Sequence, residues 1–578
     1  MNLKFFFFFS PLFFFSFFLN AQEKEVKLKF VETSDIHGNY FPYSFIQQKE
    51  WVGSLSRVHA MIQSERKVYK DNLILLDNGD ILQGQPSSYY YNFIDTVSPH
   101  VCSEMMNFMG YNAGNMGNHD VETGHKVFDR WVDQCHFPIL GANIIRTSDN
   151  NTYLKPYVVF RRDGVKIVVL GMITPAIPVW LSENLWSGMR FDDMEETARK
   201  WMKIIREKEK PDVMIGLFHS GQEGMVLGDK YKENASMSVA CNVPGFDIVM
   251  IGHDHIADCK KVVNVAGDSV LIIDPANNGV VVADVDVILK LKNGKVQSKC
   301  VSGFLTKVAK YGVSEEFMSR FASQYDAVGK FVSKRLGYFS ETVTSWPAYV
   351  GPSPFVDLIH QLQLAISGAD VSFTAPLSFD AEIKKGDVYV SDMFNLYKYE
   401  NMLYTMQLSG KEIKDYLEES YYWWTNQMKS PWDHLVWLND NFCVNEERTT
   451  FKNFSFNFDS AAGIIYTVDV TQPKGRKITI VSMANGAPFR MDHIYKVALN
   501  SYRGNGGGEL LTKGAGIPQN ELKKRIISST DKDLRFYMMK YIEKNDTLCP
   551  RSLGDWKFIP EEWTVPAAKR DARLLFSH

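Results

Sequence analysis

Five short polar clusters in the first half of the chain carry side chains that bind metal ions. They are Asp35-Ile36-His37-Gly38, Gly79-Asp80, Gly117-Asn118-His119-Asp120, Phe218-His219-Ser220-Gly221 and Gly252-His253-Asp254-His255. Asp, Asn and His are hard or borderline ligands, and a mixed N/O set of this kind suits two divalent ions without distinguishing Zn, Mn, Fe or Co. One His after a strand is usually a satisfied polar residue, but five clusters in series, each with a neighbouring Gly, are hard to produce from packing needs alone. The chemistry they suit is phosphoester hydrolysis. A phosphate ester resists attack because its oxygens repel a nucleophile; two divalent ions a few ångströms apart cancel that charge and hold a hydroxide in line with the leaving oxygen. Asp80, central in the series, is the candidate to bridge both ions. His119, beside the ligand candidate Asn118, is then left to meet the scissile group. As imidazolium it would neutralise a phosphoryl oxygen or protonate the leaving group, and Asp120 or Glu122 is expected to keep it charged.

The elements that must position these clusters are legible as short apolar runs. Val26–Glu32 runs towards Asp35, Leu73–Leu76 into Asp80, Val213–Leu217 into His219, and Ile248–Ile251 into His253; Val165–Leu170 is a further run of the same kind. Short β-branched runs bounded by Gly read as buried strands. Between them, Leu55–Arg66 and Met194–Glu207 have the apolar recurrence of amphipathic helices. Strands alternating with helices predict layered α/β packing, with ligands at the carboxyl ends of strands. The segment from Val280 to Lys292 alternates with period two, which predicts an antiparallel strand and therefore mixed sheets.

With 578 residues, 45% of them apolar, the chain is too long for one ordinary core. The expected division is 1–21 leader, 22–305 catalytic domain, 306–350 connecting helix and loop, 351–525 second domain, and 526–578 helical extension. In the second domain Phe355–Ile366 opens with a helical pattern. Ser409 with Glu412 reads as a capping box, and Ile464–Val470, Ile478–Val481 and Tyr495–Leu499 are strand candidates. Lys4, the Phe- and Leu-rich run to Leu19 and the closing Ala21 have the form of a secretory signal peptide. That run is shorter than the roughly 20 residues a spanning helix needs. A protein in an exported compartment, with no stable membrane span after processing, is expected. Formal net charge is −3, which argues against a nucleic-acid polymer groove and permits a small anionic substrate. Seven Cys are too few for a disulfide scaffold; Cys241 and Cys259 bracket the Gly252–His255 loop, and whether they pair is open. A monomer or weak oligomer is expected.

These clusters resemble the calcineurin-like metallophosphoesterase domain of the secreted 5'-nucleotidase superfamily, and the second half resembles the nucleotide-binding domain that follows it. Within that superfamily the likeness is greatest to the bacterial 2',3'-cyclic-nucleotide 2'-phosphodiesterase/3'-nucleotidase branch. Supporting stretches are Phe373–Leu377, Leu396–Asn401, Val470–Pro473 and Asn500–Gly508. The resemblance implies a four-layer α/β sandwich with mixed sheets, followed by an α+β nucleotide-binding domain. It implies Asp35, His37, Asp80 and His255 around one metal, and Asp80, Asn118, His219 and His253 around the other. It makes His119 the catalytic histidine, with Glu122 where the family usually has Asp. The base would lie between Tyr399 and Tyr502 with Asn401 nearby; stacking on such rings tolerates any base. Gly506 and Gly507 would let a ligand approach the backbone.

Two departures bear on substrate. The 5'-nucleotidase branch has an arginine in the segment matching Thr374–Asp380 and an aspartate near the end of its glycine run. This chain has no arginine in the first segment and Gly508-Glu509 in the second. Both favour the cyclic-phosphodiesterase branch. Hydrolysis of 5'-nucleotides or UDP-sugars, and a nucleotide-binding module with a decayed site, remain alternatives. A zinc protease or a serine hydrolase is disfavoured, because neither His-Glu-x-x-His nor Gly-x-Ser-x-Gly occurs.

Overall fold

A computed structural model describes residues 23–227, 231–440 and 450–576. The expected leader at 1–21 and Cys443 lie outside these residues. The first half is built on two six-stranded sheets. One runs in the order Lys295–Lys307, Val281–Lys292, Glu23–Thr33, Leu73–Asp77, Ala113–Asn115 and Ile139–Leu140; the other runs Asp258–Val263, Ser269–Asp274, Ile248–Ile251, Val213–His219, Val165–Ile173 and Tyr157–Arg162. Both are mixed. Glu23–Thr33 pairs parallel with Leu73–Asp77 and antiparallel with Val281–Lys292, as the period-two pattern of that strand requires.

The sheets face each other across a core that includes Leu28, Phe30, Ile74, Leu76, Ile215, Leu217, Ile248 and Met250. The outer faces are covered as well. Leu55–Tyr69 and its neighbours bury Val58, Met61 and Ile62 on one side, and Met194–Lys208 buries Met194, Ala198, Met202 and Ile205 on the other. The result is a four-layer sandwich. A strand covered on both faces has no exposed side, so Val213–His219 is buried at every residue and reads as a continuous apolar run. All five polar clusters leave this sandwich at carboxyl ends of strands or in the loops beyond them.

The second half contains a five-stranded sheet in the order Ser460–Ala462, Val371–Thr374, Ile494–Asn500, Met402–Ser409 and Ile526–Asp533, and a three-stranded sheet of Ile478–Met483, Ile464–Asp469 and Trp556–Ile559. The helix Gly410–Trp424 starts at Ser409, whose hydroxyl accepts from Glu412 N while the Glu412 carboxylate accepts from Ser409 N, a reciprocal capping box.

Two expectations need revision, and one open question is answered. The segment 306–350 is more than a connection. Its helices Glu315–Arg320 and Ala322–Val332 bury Phe317, Val328 and Val332 in the core of the first half, and Arg335–Phe339 pairs with Gly386–Tyr389. Residues 526–578 are not simply helical, since Ile526–Asp533 and Trp556–Ile559 each join a sheet of the second half. Cys241 and Cys259 are free thiols. Among the described residues no helix is long and apolar enough to cross a membrane.

Candidate metal centre and nucleotide site

The two halves of the ligand series converge into two triads, Asp35-His37-His255 and Asp80-His219-His253, each with its donor atoms within 4.8 Å of one another. Their packing is peculiar. Nε2 of His37 and Nε2 of His255 face each other at 3.0 Å. Oδ1 of Asp35 is buried without a hydrogen bond although His255 Nε2 lies 3.1 Å away. Its other oxygen accepts from Ser34 Oγ at 2.5 Å and His253 N at 3.0 Å, so Oδ1 is left turned to the histidines. In the second triad Asp80 Oδ2 lies 3.1 Å from His219 Nε2. The Asn118 carbonyl oxygen sits 3.0 Å from His219 Nε2 and 2.8 Å from His253 Nδ1.

The outward-facing ring nitrogens decide whether this donor set fits metal ions. His37 Nδ1 reaches the Gln83 carbonyl at 3.2 Å and His219 Nδ1 the Asn78 carbonyl at 2.7 Å, so each of these nitrogens must carry the proton. His253 Nε2 lies 3.0 Å from a Glu233 carboxylate oxygen, whereas at His255 the Asn277 amide nitrogen donates to Nδ1 at 2.9 Å and leaves the ring proton on Nε2. At His37, His219 and His253 a carbonyl or carboxylate on the far nitrogen fixes the tautomer that presents a lone pair on the near one, as it does in metal-binding histidines. The residues therefore fit divalent cations.

Electrostatics point the same way. Burial opposes ionisation of Asp35 and Asp80, but His255 beside the first and His219 and His119 beside the second hold both well below the usual carboxylate range. His37 is pushed down to about 3 by burial and by the neighbouring His255, and so offers a neutral ring. Burial would lower His219 too, but Asp80 prevails and lifts it to about 9, a proton that a cation between the two would replace.

The loops accept strain to bring these groups together. Asp35, His37, Asp80, His253 and His255 all have positive φ, between 48° and 86°. Such conformations cost of order 1–3 kcal/mol each for non-glycine residues and collect at functional sites. Glycine permits the close approach: a Cβ on Gly117 would lie 2.2 Å from Asp80 Oδ1, and one on Gly252 2.1 Å from Ser34 Oγ.

His119 stands beside the triads. Its backbone N–H donates to Asp80 Oδ1 at 2.7 Å, and its ring centre lies 5.5 Å from that of His37. Nδ1 is 2.5 Å from Glu122 Oε2, across one turn of the short helix Asn118–Glu122. Burial would lower the His119 pKa, but Asp80 and then Glu122 prevail and raise it to about 10. Asp120, the other carboxylate considered for this partnership, is turned elsewhere. Its oxygens accept from the backbone N–H groups of Asp80, Ile81, Leu82 and Gly117, which holds the Gly79–Asp80 loop against the helix.

In the second half, Tyr399 and Tyr502 are half-buried and Asn401 is buried with its carbonyl accepting from Leu534 N at 2.7 Å. Tyr502 packs edge-on to Phe456 at 6.4 Å, and its hydroxyl feels Glu233 and Tyr399. Gly506 and Gly507 do not offer open backbone to a ligand. A Cβ on Gly506 would meet the Gln519 side chain at 2.4 Å and one on Gly507 the Tyr502 ring at 2.6 Å. The glycine run is instead wound around Arg503, which is buried and bonded to Asp459, Asn457, Phe456 O and Gly507 O. The halves meet nearby. Asn505 Nδ2 donates to Trp180 O at 3.3 Å, and the Trp180 ring stacks on His253 at 5.7 Å. Glu233, Trp180 and Phe456 carry no signature in the sequence; each becomes visible only when the chain is folded.

Residues 28–257 match the calcineurin-like phosphoesterase family and residues 330–513 the 5'-nucleotidase C-terminal domain. The trifunctional nucleotide phosphoesterase protein YfkN of Bacillus subtilis is 26% identical over 94% of this chain, which spans 40% of that protein's length. A 2',3'-cyclic-nucleotide 2'-phosphodiesterase/3'-nucleotidase of Yersinia enterocolitica is 25% identical over 93% of this chain and 89% of its own. A Staphylococcus aureus protein solved in complex with alpha-ketoglutarate shares the fold, with a TM-score of 0.76 at 21% identity over 92% of this chain and all of that one. The resemblance read from the polar clusters is thereby met in both halves, and the paired triads give the donor set of a dinuclear metal hydrolase.

Proposed function

Because the chain joins a calcineurin-like phosphoesterase domain to a 5'-nucleotidase C-terminal domain, we propose that it hydrolyses nucleotide phosphoesters, with 2',3'-cyclic nucleotides and 3'-nucleotides as preferred substrates. The observation that carries this reading is the juxtaposition of two candidate metal-binding triads with a histidine–carboxylate pair that belongs to neither. Asp35, His37 and His255 would hold one ion; Asn118, His219 and His253 would hold the other, and Asp80 would be shared. When bound, two divalent ions neutralise the phosphoryl oxygens and generate a nucleophile from water at neutral pH. The protein's own groups do the rest. Glu122 takes the Nδ1 proton side of His119 and leaves Nε2–H as the donor facing the substrate. That N–H stabilises charge on a phosphoryl oxygen or passes its proton to the leaving ribose oxygen. Tyr399 and Tyr502 take the base between them, and Arg503 holds the Tyr502 loop in shape.

The preference among phosphate positions rests on the absence of the 5'-nucleotidase arginine at 374–380 and on the relatives above. It is tested by kcat/KM for 2',3'-cyclic AMP, 3'-AMP, 5'-AMP and a UDP-sugar on purified protein. Preference for 5'-AMP or the UDP-sugar would overturn the assignment. We place the protein in an exported compartment on the strength of the basic and apolar pattern at residues 4–21; N-terminal sequencing of the mature chain from the cell exterior or envelope checks it.

A further inference from the structure

The His253 ring has contacts at both nitrogens and on a face. Nε2 lies 3.0 Å from Glu233 and Nδ1 2.8 Å from the Asn118 carbonyl oxygen. The Trp180 indole lies against the ring at 5.7 Å between centres, with 29° between the planes. A hydrogen bond at a ring nitrogen sets where that edge points, and a contact on the face resists tilting of the plane. Tilt matters here because His253 has a φ of 86°, a backbone conformation that a non-glycine residue keeps only when its surroundings impose it. Trp180 and Glu233 also share a footing. The buried pair Ala176 and Val179 carries both Trp180 and Tyr231, the residue that opens the hairpin strand Tyr231–Asn234.

The place of Trp180 is in turn tied to the second half. It closes the one-turn helix Ile177–Trp180, and its carbonyl accepts from Asn505 Nδ2 at 3.3 Å. Asn505 belongs to the same turn as Tyr502: its N–H donates to Ser501 O at 2.9 Å, and its carbonyl accepts from Gln519 Nε2 at 2.7 Å. Nearby, Lys523 pairs with Glu183, but both side chains are exposed and such a pair adds little hold. A line of direct contacts therefore runs from the Tyr502 turn through Asn505 and Trp180 to His253. We propose that Trp180 is a positioning residue that holds the His253 ring in its metal-binding orientation and, through Asn505, makes that hold depend on the second half. The second half then serves metal retention as well as the base. The inference rests on the metal-centre reading.

The test is titration of metal-free, full-length protein with Mn, reading a Kd for each ion. In Trp180→Leu the Kd of one ion should rise about tenfold and that of the other stay unchanged, because only the triad Asp80-His219-His253 loses a ring contact. Trp180→Phe keeps a ring against His253 and should stay within about twofold of wild type. Asn505→Ala alters no residue of either triad, yet should raise the same Kd by about threefold, the share of a neutral hydrogen bond. A merely structural role for Trp180 would move both affinities or neither. Equal losses at both ions, unchanged Kd values in Trp180→Leu, or wild-type affinities in Asn505→Ala would overturn the proposal. The Asn505→Ala comparison decides even if Trp180→Leu fails to fold. Wild type that binds no Mn would instead overturn the metal-centre reading itself.

Discussion

His119→Asn is the substitution whose outcome the structure constrains most closely. The bond from His119 N to Asp80 Oδ1 belongs to the backbone and survives the change, so the carboxylate expected to be shared by both ions keeps its orientation. The imidazole belongs to neither triad; its Nδ1 is bonded to Glu122 and the side chain is 27% exposed. What the variant loses is a charged hydrogen bond made chiefly to the transition state. Loss of one such donor is typically worth about 10²–10³ in kcat, or roughly 2.7–4 kcal/mol. KM should move by less than about threefold, since ground-state binding relies on the metals and the second domain. Glu122→Gln should fall between the two proteins. Its amide oxygen still accepts from Nδ1–H, but without a charge the bond weakens by about half, and a loss of about tenfold is expected. The assay is steady-state turnover of 3'-AMP together with bound metal per chain by elemental analysis. A His119→Asn protein with wild-type kcat, or one that has lost metal, would refute the role assigned to this ring.

Glu233→Ala should weaken metal binding by about 10–100-fold, because the His253 ring loses the carboxylate that fixes its tautomer; titration of the metal-free protein with Zn or Mn measures it, and unchanged affinity would make Glu233 a bystander. Tyr502→Ala should raise KM for 3'-AMP by the loss of about 1–3 kcal/mol of stacking and leave bis(p-nitrophenyl) phosphate unaffected; an equal loss on both substrates would show the ring to be structural. Lys477 is buried at 2% exposure, and burial, partly offset by Glu418 and Asp469, pulls its pKa down to about 8. The unfolded chain then binds more protons between pH 8 and the ordinary lysine value of about 10.4, so stability should rise with pH across that window. Denaturant midpoints of wild type and Lys477→Met at pH 7 and pH 9.5 check this: the variant's advantage at pH 7 should shrink at pH 9.5, and a constant gap would contradict it.

The metal-facing half of the site was legible because a sandwich of this kind announces its ligands at strand ends. Four of the buried runs lead into a polar cluster, and burial of the strand on both faces makes such a run unmistakable, as at Val213–His219. Choosing the partner of His119 needed geometry. On a one-turn helix residues three apart share a face and adjacent residues do not, so Glu122 meets the ring while Asp120 turns to the backbone of residues 80–82. Glu233 was illegible: it sits in a short polar hairpin, Tyr231–Asn234, and reaches His253 only through tertiary folding. The strand Ile526–Asp533 hid behind its charged composition, which is what an edge strand carries to avoid pairing with other chains. The resemblance implies open backbone at Gly506 and Gly507, within the glycine run at 504–508. The space above it is instead filled by Tyr404, Gln519, Tyr502 and Arg503, side chains brought there by other elements and by the run's own tight turn.

The central claim is that Asp35, His37 and His255 and, separately, Asp80, His219 and His253 each hold a divalent ion. The most direct test is metal stoichiometry by elemental analysis on wild type and His219→Ala, each saturated with Mn or Zn and freed of excess by gel filtration, with turnover of bis(p-nitrophenyl) phosphate measured on the same samples. The account predicts about two ions per wild-type chain, about one in His219→Ala, and activity that disappears on chelation and returns with metal. One ion or none in active wild-type protein, or full activity after chelation, would contradict it.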